Sequence, residues 1–435
     1  MNNLSENPLF HERLRMLIER VLLLCLVFLP LTAHGAWLNF RSNPQHTGRT
    51  AEIGPEKPFV KWRLDKVTIM NNHSPVVGPD GTVYTLRGIG YLNDAVYAVK
   101  PDGTVKWTYS KGDMNFGQPE LSRSGTLYTL ASIKPKTGSL KEGYLIGLDA
   151  LSGDLKTERK LSDISADLWT PHIVIDSKDN VFVGAADILY AMNADGTKRW
   201  SYKFVTGEKG NNPEYSIGPT LSPDEKTLYY YKRFDGGVMA LDSATGKVMW
   251  HDKSPYLTDI SIPTAGPDGT IYIPDAKTEA LYALKPDGTL KWKAVFEGLR
   301  LFNSNATIGI DGTVYIEAER SIPSVGNAGG KIFALSQVDG KVKWSYDVKA
   351  GTLASPMAID GKGNIYYGTG DGHIVCFNSE GQLLWRFLVG VLPKKGGRVE
   401  EFQIHMSGPV ISDGTLYIIV GSYAKGGALV AIGSR

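Results

Sequence analysis

Apolar and β-branched residues alternate with polar ones along this chain in short runs, Asp-Gly turns break the runs, and the whole pattern repeats. Alternation of period two marks half-buried strands rather than helices. Each repeat reads Pro, a short spacer, Asp-Gly-Thr-(Val/Leu/Ile)-Tyr, a variable stretch, (Val/Leu)-Tyr-Ala-(Val/Leu), a glycine turn and Trp. GPDGTVYTL with AVYAVKPDGTVKW, residues 78–107, returns almost unchanged as GPDGTIYIP with ALYALKPDGTLKW, residues 266–292. The closing residues Trp62, Trp107, Trp200, Trp250, Trp292, Trp344 and Trp385 fall every 41 to 52 residues once Thr157 is counted in the second copy, where it replaces Trp. A period in this range belongs to solenoids, arrays and propellers.

Each copy decodes as four short antiparallel strands joined by tight turns, because Asp-Gly supplies the positive φ that a two-residue hairpin requires. One such sheet leaves a face unburied, so copies must stack, and strand-only repeats of this length stack radially. The last copy, SDGTLYIIV through ALVAIGSR, stops before its outermost strand, while Phe59–Arg63 stands upstream of the first copy as one orphan strand. The expected fold is all-β: an eight-bladed β-propeller of four-stranded antiparallel blades over residues 59–435, the last blade closed by the N-terminal strand. Such closure removes the unpaired edges of an open array. The docking tryptophans are expected to be packing residues between blades.

The N-terminus alters this picture only locally. The run VLLLCLVFLPLTA, residues 21–33, follows Arg13, Arg15 and Arg20 and precedes the small residues Ala33, Gly35 and Ala36. It is short for a membrane span and has the layout of a secretory signal, so residues 1–36 are expected to be a signal peptide, with Met16 as an alternative initiator, and residues 37–58 an entry segment. Leu22-Leu23-Leu24-Cys25 lacks the small residue that a lipoprotein box places before its Cys. The expectation is export to the periplasm or medium as a monomer, with no transmembrane domain after cleavage. A formal net charge of +2 gives no basic stripe for nucleic acid. With Cys25 in the leader, Cys376 is left without a disulfide partner and is expected to be a buried structural thiol.

Candidate chemistry gathers at one place. The residues just before each inner-strand Pro should line the mouth of the central channel, and there the chain offers Asn72, His73, Gln118, Trp169, Tyr215, Asp259, Asn303, Asn305 and His405. Amides, hydroxyls and aromatics suit a neutral polar ligand such as a saccharide, or a peptide. His73, His172 and His405 come from different blades without metal-ligand spacing, so no metal site is expected, and no nucleophile elbow or phosphate-cradling loop is present. Residues 132–143, 203–216, 318–330 and 390–406 read as long loops, where binding on a rigid scaffold usually resides.

Two motifs carry a resemblance. Trp37-Leu-Asn-Phe40-Arg41-Ser-Asn-Pro-Gln-His46-Thr47-Gly48 is similar to the entry segment of proteins with pyrroloquinoline quinone (PQQ)-like β-propeller repeats. Ala240-Leu-Asp242-Ser-Ala-Thr245-Gly246-Lys-Val-Met-Trp250 matches the tryptophan-docking motif A-x-D-x-x-T-G-x-x-x-W of quinoprotein alcohol dehydrogenases. The resemblance implies that each docking Trp packs on the next blade and that the motif Gly allows close approach. Its catalytic branch implies PQQ and Ca²⁺ in the axial well, but this chain lacks the adjacent Cys pair and the long inserts of those enzymes. Its non-catalytic branch, the β-barrel assembly scaffold B, implies a protein-binding ring. The sequence is thus read as a non-enzymatic binding scaffold with a protein or carbohydrate partner at its face loops and no cofactor expected; a PQQ-dependent dehydrogenase is the alternative. His46 is expected to anchor the entry segment by a hydrogen bond.

Overall fold

The alternating segments form antiparallel strands, and among the described residues there is no helix. The computed structural model describes residues 35–435 except 68–73, 90–91, 134–141, 162–172, 186–187, 205–217, 232–236, 253–261, 302–303, 323–325, 349–355, 390–406 and 423–425. Residues Gly35–Arg435 make one compact unit.

The strands order into successive meanders. The first sheet contains Val76–Val77, Val83–Ile89, Leu92–Val99 and Val105–Tyr109. The second runs from Met114–Phe116 and Glu120–Leu121 to Leu155–Lys160, with its innermost strand interrupted at 117–119. The third spans Ile173–Lys203, the fourth Thr220–Asp252, the fifth Thr264–Val295, the sixth Thr307–Val348 and the seventh Ala358–Leu388, each with four strands in chain order. Val410–Ser412, Thr415–Ser422 and Gly426–Ser434 form a terminal unit, and Pro58–Val67 pairs antiparallel with its last strand, from Pro58↔Ser434 to Val67↔Gly427. A single bridge, Val67↔Arg87, joins this unit to the first sheet.

A row of three residues crosses each sheet and explains the repeat. In the first sheet Tyr84 lies opposite Ala98, and Ala98 opposite Trp107. The fifth repeats this as Tyr272, Ala283 and Trp292, and the fourth as Tyr229, Ala240 and Trp250. The small middle residue lets the flanking rings meet above it, with centroids 5.7–6.1 Å apart in the seven rows that carry Trp. Such tilted aromatic pairs add attraction beyond the area they bury. In the seventh sheet Cys376 takes the alanine position between Tyr366 and Trp385. It is buried, and desolvation pushes its thiol up to about 12, which suits a packing role.

Each Trp then docks on the next unit. Its indole N–H donates to a backbone carbonyl there: Trp107 to Ala150 (3.1 Å), Trp200 to Ser243 (3.0 Å), Trp250 to Pro286 (2.9 Å), Trp292 to Gln337 (3.0 Å) and Trp344 to Ser379 (2.8 Å). Trp62 of the terminal unit reaches Pro101 at 2.7 Å, and Trp385 reaches Pro55 at 3.1 Å. Beside each acceptor between Trp62 and Trp344 a turn glycine faces the ring. Gly288 has φ +85°, and a Cβ on it would stand 2.8 Å from Trp250, so this turn excludes any side chain for both reasons. In the second sheet Gly147 and Thr157 hold the row, and Arg159 Nε donates to Gly196 O at 3.3 Å in place of an indole.

The Asp-Gly-Thr turn has a second use. Asp80 accepts from Thr82 N (3.0 Å) and Thr82 Oγ1 (2.8 Å), and Lys106, the residue before Trp107, closes the set at 3.1 Å. Asp268–Thr270–Lys291 and Asp311–Thr313–Lys343 repeat it.

The bounds of one expected loop are narrowed and a second is corrected. Strands reach Ile133 and restart at Glu142, and the ladder of the sixth sheet continues through Glu319↔Gly330 and Ser321↔Asn327 to Ile322↔Gly326, so most of 318–330 is hairpin. The length of this stretch, beyond the two to five residues of an ordinary hairpin connection, suggested a loop. Arg300 overrides it by exchanging backbone hydrogen bonds with Glu319 in both directions, at 2.8 and 2.9 Å, which gives this strand another partner.

Candidate functional site

The inner strands are two or three residues long, and their backbone groups on the axial side need partners. Residues 37–52 supply them. Trp37 exchanges two backbone hydrogen bonds with Val77 of the first sheet, at 2.9 Å each, and Leu38 O accepts from Leu121 of the second at 2.8 Å. Pro44 O then accepts from Leu221 of the fourth sheet, Gln45 O from Ala265 of the fifth, Thr47 O from Ile308 of the sixth and Gly48 O from Ile359 of the seventh. Glu52 O accepts from Gly361. The entry segment thus visits inner strands in chain order and forms a plug on the axis.

Its side chains are buried among those strands. Trp37, Phe40, Arg41 and His46 are each no more than 2 % exposed. Arg41 donates from Nη1 to Thr264 Oγ1 (3.0 Å) and from Nη2 to Thr307 Oγ1 (2.5 Å). His46 Nδ1 lies 3.0 Å from Thr220 Oγ1, whose own proton goes to Pro263 O at 2.8 Å. The imidazole, the Thr220 hydroxyl and the Pro263 backbone thus form one hydrogen-bonded group. Here His46 does anchor the segment. Burial, with the neighbouring Arg41 charge added, lowers it to about 3, and burial lowers the guanidinium to about 9. Glu120 is also buried, accepts from Phe40 N at 2.8 Å and is pushed well above the ordinary carboxylate range by desolvation.

The backbone here is unusual as well. Arg41, Ser42 and His46 have φ of 55°, 79° and 58°, in the left-handed region that non-glycine residues enter at a cost. Gly48 completes the bend with φ +74°, and a Cβ there would meet Met357 O at 2.8 Å.

Of the expected mouth residues, Gln118 and Asn305 are described. Both are buried, and both latch neighbouring sheets: Ser74 N donates to Gln118 Oε1 (3.0 Å) while Gln118 Nε2 donates to Ser74 O (2.5 Å), and Ile262 N donates to Asn305 Oδ1 (3.0 Å). Asn72, His73, Trp169, Tyr215, Asp259, Asn303 and His405 lie outside the described residues, as does His172. Among the described residues no group of His, Cys, Asp or Glu converges as a metal-ligand set. Thr220, Thr264, Thr307 and Glu120 escaped the sequence reading. Their signal was a polar residue at an inner-strand position that other copies fill with Val or Ala.

With this geometry in hand, comparison with known proteins is informative. Residues 234–435 match the family described as outer membrane protein assembly factor BamB. The chain resembles BamB-type PQQ-repeat propellers. BamB of Burkholderia pseudomallei is 27 % identical over 211 residues, 47 % of this chain and 50 % of that protein. BamB of Vibrio cholerae is 28 % identical over 209 residues, 46 % of this chain and 49 % of that protein. The match thus spans about half the length of these BamB relatives. The crystal structure of BamB from Moraxella catarrhalis superposes with a TM-score of 0.57 at 16 % identity, covering 86 % of this chain and 97 % of that one, which is a likeness of fold. The residues that match the BamB family include Trp250, Trp292, Trp344 and Trp385 but not Arg41 or His46.

Proposed function

We propose that this chain is an exported, non-enzymatic scaffold that binds other proteins during outer-membrane protein assembly. In this reading residues 1–36 are an export signal, residues 59–435 form an eight-bladed ring closed by Pro58–Val67, and residues 37–58 fill the axis and lead into the closing strand. The observation that carries it is the plug: backbone groups that could face a cofactor in the axial well are hydrogen-bonded instead to Trp37, Leu38, Pro44, Gln45, Thr47, Gly48 and Glu52. The BamB relatives support the same class of role. Partner contacts fall to the face loops, including 203–216 and 390–406, and to the mouth residues Asn72, His73, Trp169, Tyr215, Asp259, Asn303 and His405, with Gln118 and Asn305 fixing the strands behind them.

The test is a pair of measurements on the purified protein. Calorimetric titration with PQQ in the presence of Ca²⁺, followed by dye reduction on alcohols and sugars, is expected to show no uptake and no turnover. Crosslinking in the periplasm of the source cell is expected to trap outer-membrane assembly proteins. Saturable one-to-one PQQ binding with dye reduction would sink the scaffold reading in favour of a dehydrogenase, and saccharide binding without protein crosslinks would replace the partner class.

A further inference from the structure

A strand at the edge of a sheet offers a row of unpaired backbone groups to any other strand, and a charged side chain there discourages such pairing. The chain applies this safeguard at almost every outer strand. The residue just before the closing Trp, or before Thr157, is a cation in six units: Lys61, Lys106, Lys156, Arg199, Lys291 and Lys343. It is Met249 in the fourth sheet and Leu384 in the seventh. Beyond Met249 the fourth strand returns to His251 and Asp252, so it stays polar. The seventh does not.

Its outer strand Leu383–Leu388 reads Leu-Leu-Trp-Arg-Phe-Leu, with Leu383 44 %, Leu384 50 % and Leu388 42 % exposed. Among the described residues no other outer strand exposes three large apolar side chains, and no strand pairs on the open side of this one. A short apolar run without net charge or Pro is the composition of a strand that adds to another strand. The single charge is already met: Arg386 Nη2 pairs with Asp371, and His373 Nδ1 stands 3.1 Å from Asp371 Oδ1. Leu384, Arg386 and Leu388 are exposed at every second position and share one face.

The order of residues along this edge fits a copy of itself. Directly opposed residues of an antiparallel pair point to the same face, so a strand that pairs with its own copy about a two-fold axis is centred on a residue. Centred on Arg386, the pairing sets Leu384 opposite Leu388 of a second copy, twice over, and brings two Arg386–Asp371 pairs together with positive against negative. A partner of net charge of either sign gains nothing from so balanced an edge. We propose that the outer strand of the seventh sheet is a self-association edge, with Leu383–Leu388 pairing antiparallel to the same strand of a second copy about a two-fold axis at Arg386. This goes beyond the scaffold reading and replaces the monomer expected from the sequence. The contact is small, so the dimer is a weak one.

The test is sedimentation velocity of the purified protein over a concentration series, where a monomer–dimer equilibrium in the micromolar range is expected. Leu384→Lys restores the charge that other outer strands carry, at a half-exposed position. It should leave the thermal unfolding midpoint unchanged and weaken the dimer at least tenfold, whereas Met249→Lys should not. Leu384→Cys and Leu388→Cys in one chain should give a disulfide-linked dimer on mild oxidation, which neither single variant gives; Cys376 is buried and does not compete. A wild type that stays monomeric at tens of micromolar, a dimer indifferent to Leu384→Lys, or a monomer that takes up an apolar strand peptide at this edge instead would each overturn the proposal.

Discussion

The outer strands and the axial plug hold the same sheets together by opposite means. At the outer strands one device repeats: a Tyr–Ala–Trp row, an indole hydrogen bond and a glycine turn, each with its polar atoms paired locally. On the axis nothing repeats. A single extended segment meets the first, second, fourth, fifth, sixth and seventh sheets with a different residue each time, buries an arginine, a histidine and a glutamate, and holds three non-glycine residues at positive φ. Repetition distributes stability in nearest-neighbour steps, as expected of repeat proteins. The plug instead couples distant sheets at once, so damage there should propagate while damage at one Trp stays local.

The sharpest way to break the contrast is deletion of residues 37–52. It strips backbone partners from inner strands of six sheets and removes the buried rings of Trp37 and Phe40. At about 1 kcal/mol per hydrogen bond, this approaches the about 5–15 kcal/mol that separates folded from unfolded chains. Loss of a cooperative unfolding transition in calorimetry is expected; a normal transition would show the plug to be ornamental.

Trp292→Ala probes the outer device where the ring is best buried, at 7 % exposure. Urea unfolding should show a loss of about 3–5 kcal/mol, with the transition still cooperative.

His46 gives the axis a pH signature. Its folded value of about 3 lies below the ordinary 6.5, so the stability tied to neutral His46 is full above 6.5 and is lost as pH falls toward 3. His46→Asn should flatten that acid-side decline, a change on the order of a few kcal/mol. An unchanged profile would place the acid sensitivity elsewhere.

Ala283→Val tests whether the small middle residue matters, since the added methyls would enter the space where Tyr272 and Trp292 meet. Overpacking of about 1–3 kcal/mol is expected in the same unfolding assay. The smallest effect belongs to Arg159→Met, which removes the donor to Gly196 O and should cost about 0.5–1.5 kcal/mol. If it equals Trp292→Ala, Arg159 is a full substitute for the missing indole.

What could be read in the sequence follows the same division. The Tyr–Ala–Trp rows were legible because strand alternation and turn glycines recur, and recurrence separates signal from accident; even the Thr157 gap was visible against seven copies. The donor that fills it, Arg159, was not, because an exposed-strand arginine looks like any solvated charge. On the axis, His46 could be assigned an anchoring role from the entry motif, yet Arg41, Thr220, Thr264 and Thr307 meet only in space, across 223 and 266 residues of sequence separation for the two guanidinium bonds. Residues 318–330 misled because a long connection was taken for a loop, whereas the hairpin strands continue through it and Arg300 pairs with Glu319 from outside the hairpin.

The path of the N-terminal segment also sets a timetable. Residues 37–67 leave the ribosome well before their partners, which include Gly361 and the strand Gly426–Ser434. This segment must therefore wait, with Trp37, Phe40 and Trp62 lacking their partners, until several hundred later residues have been made. Contacts of such long sequence separation slow folding and prolong the life of sticky intermediates. Closing the contacts of this segment is a late event, in which a stretch made early finds partners made more than three hundred residues later.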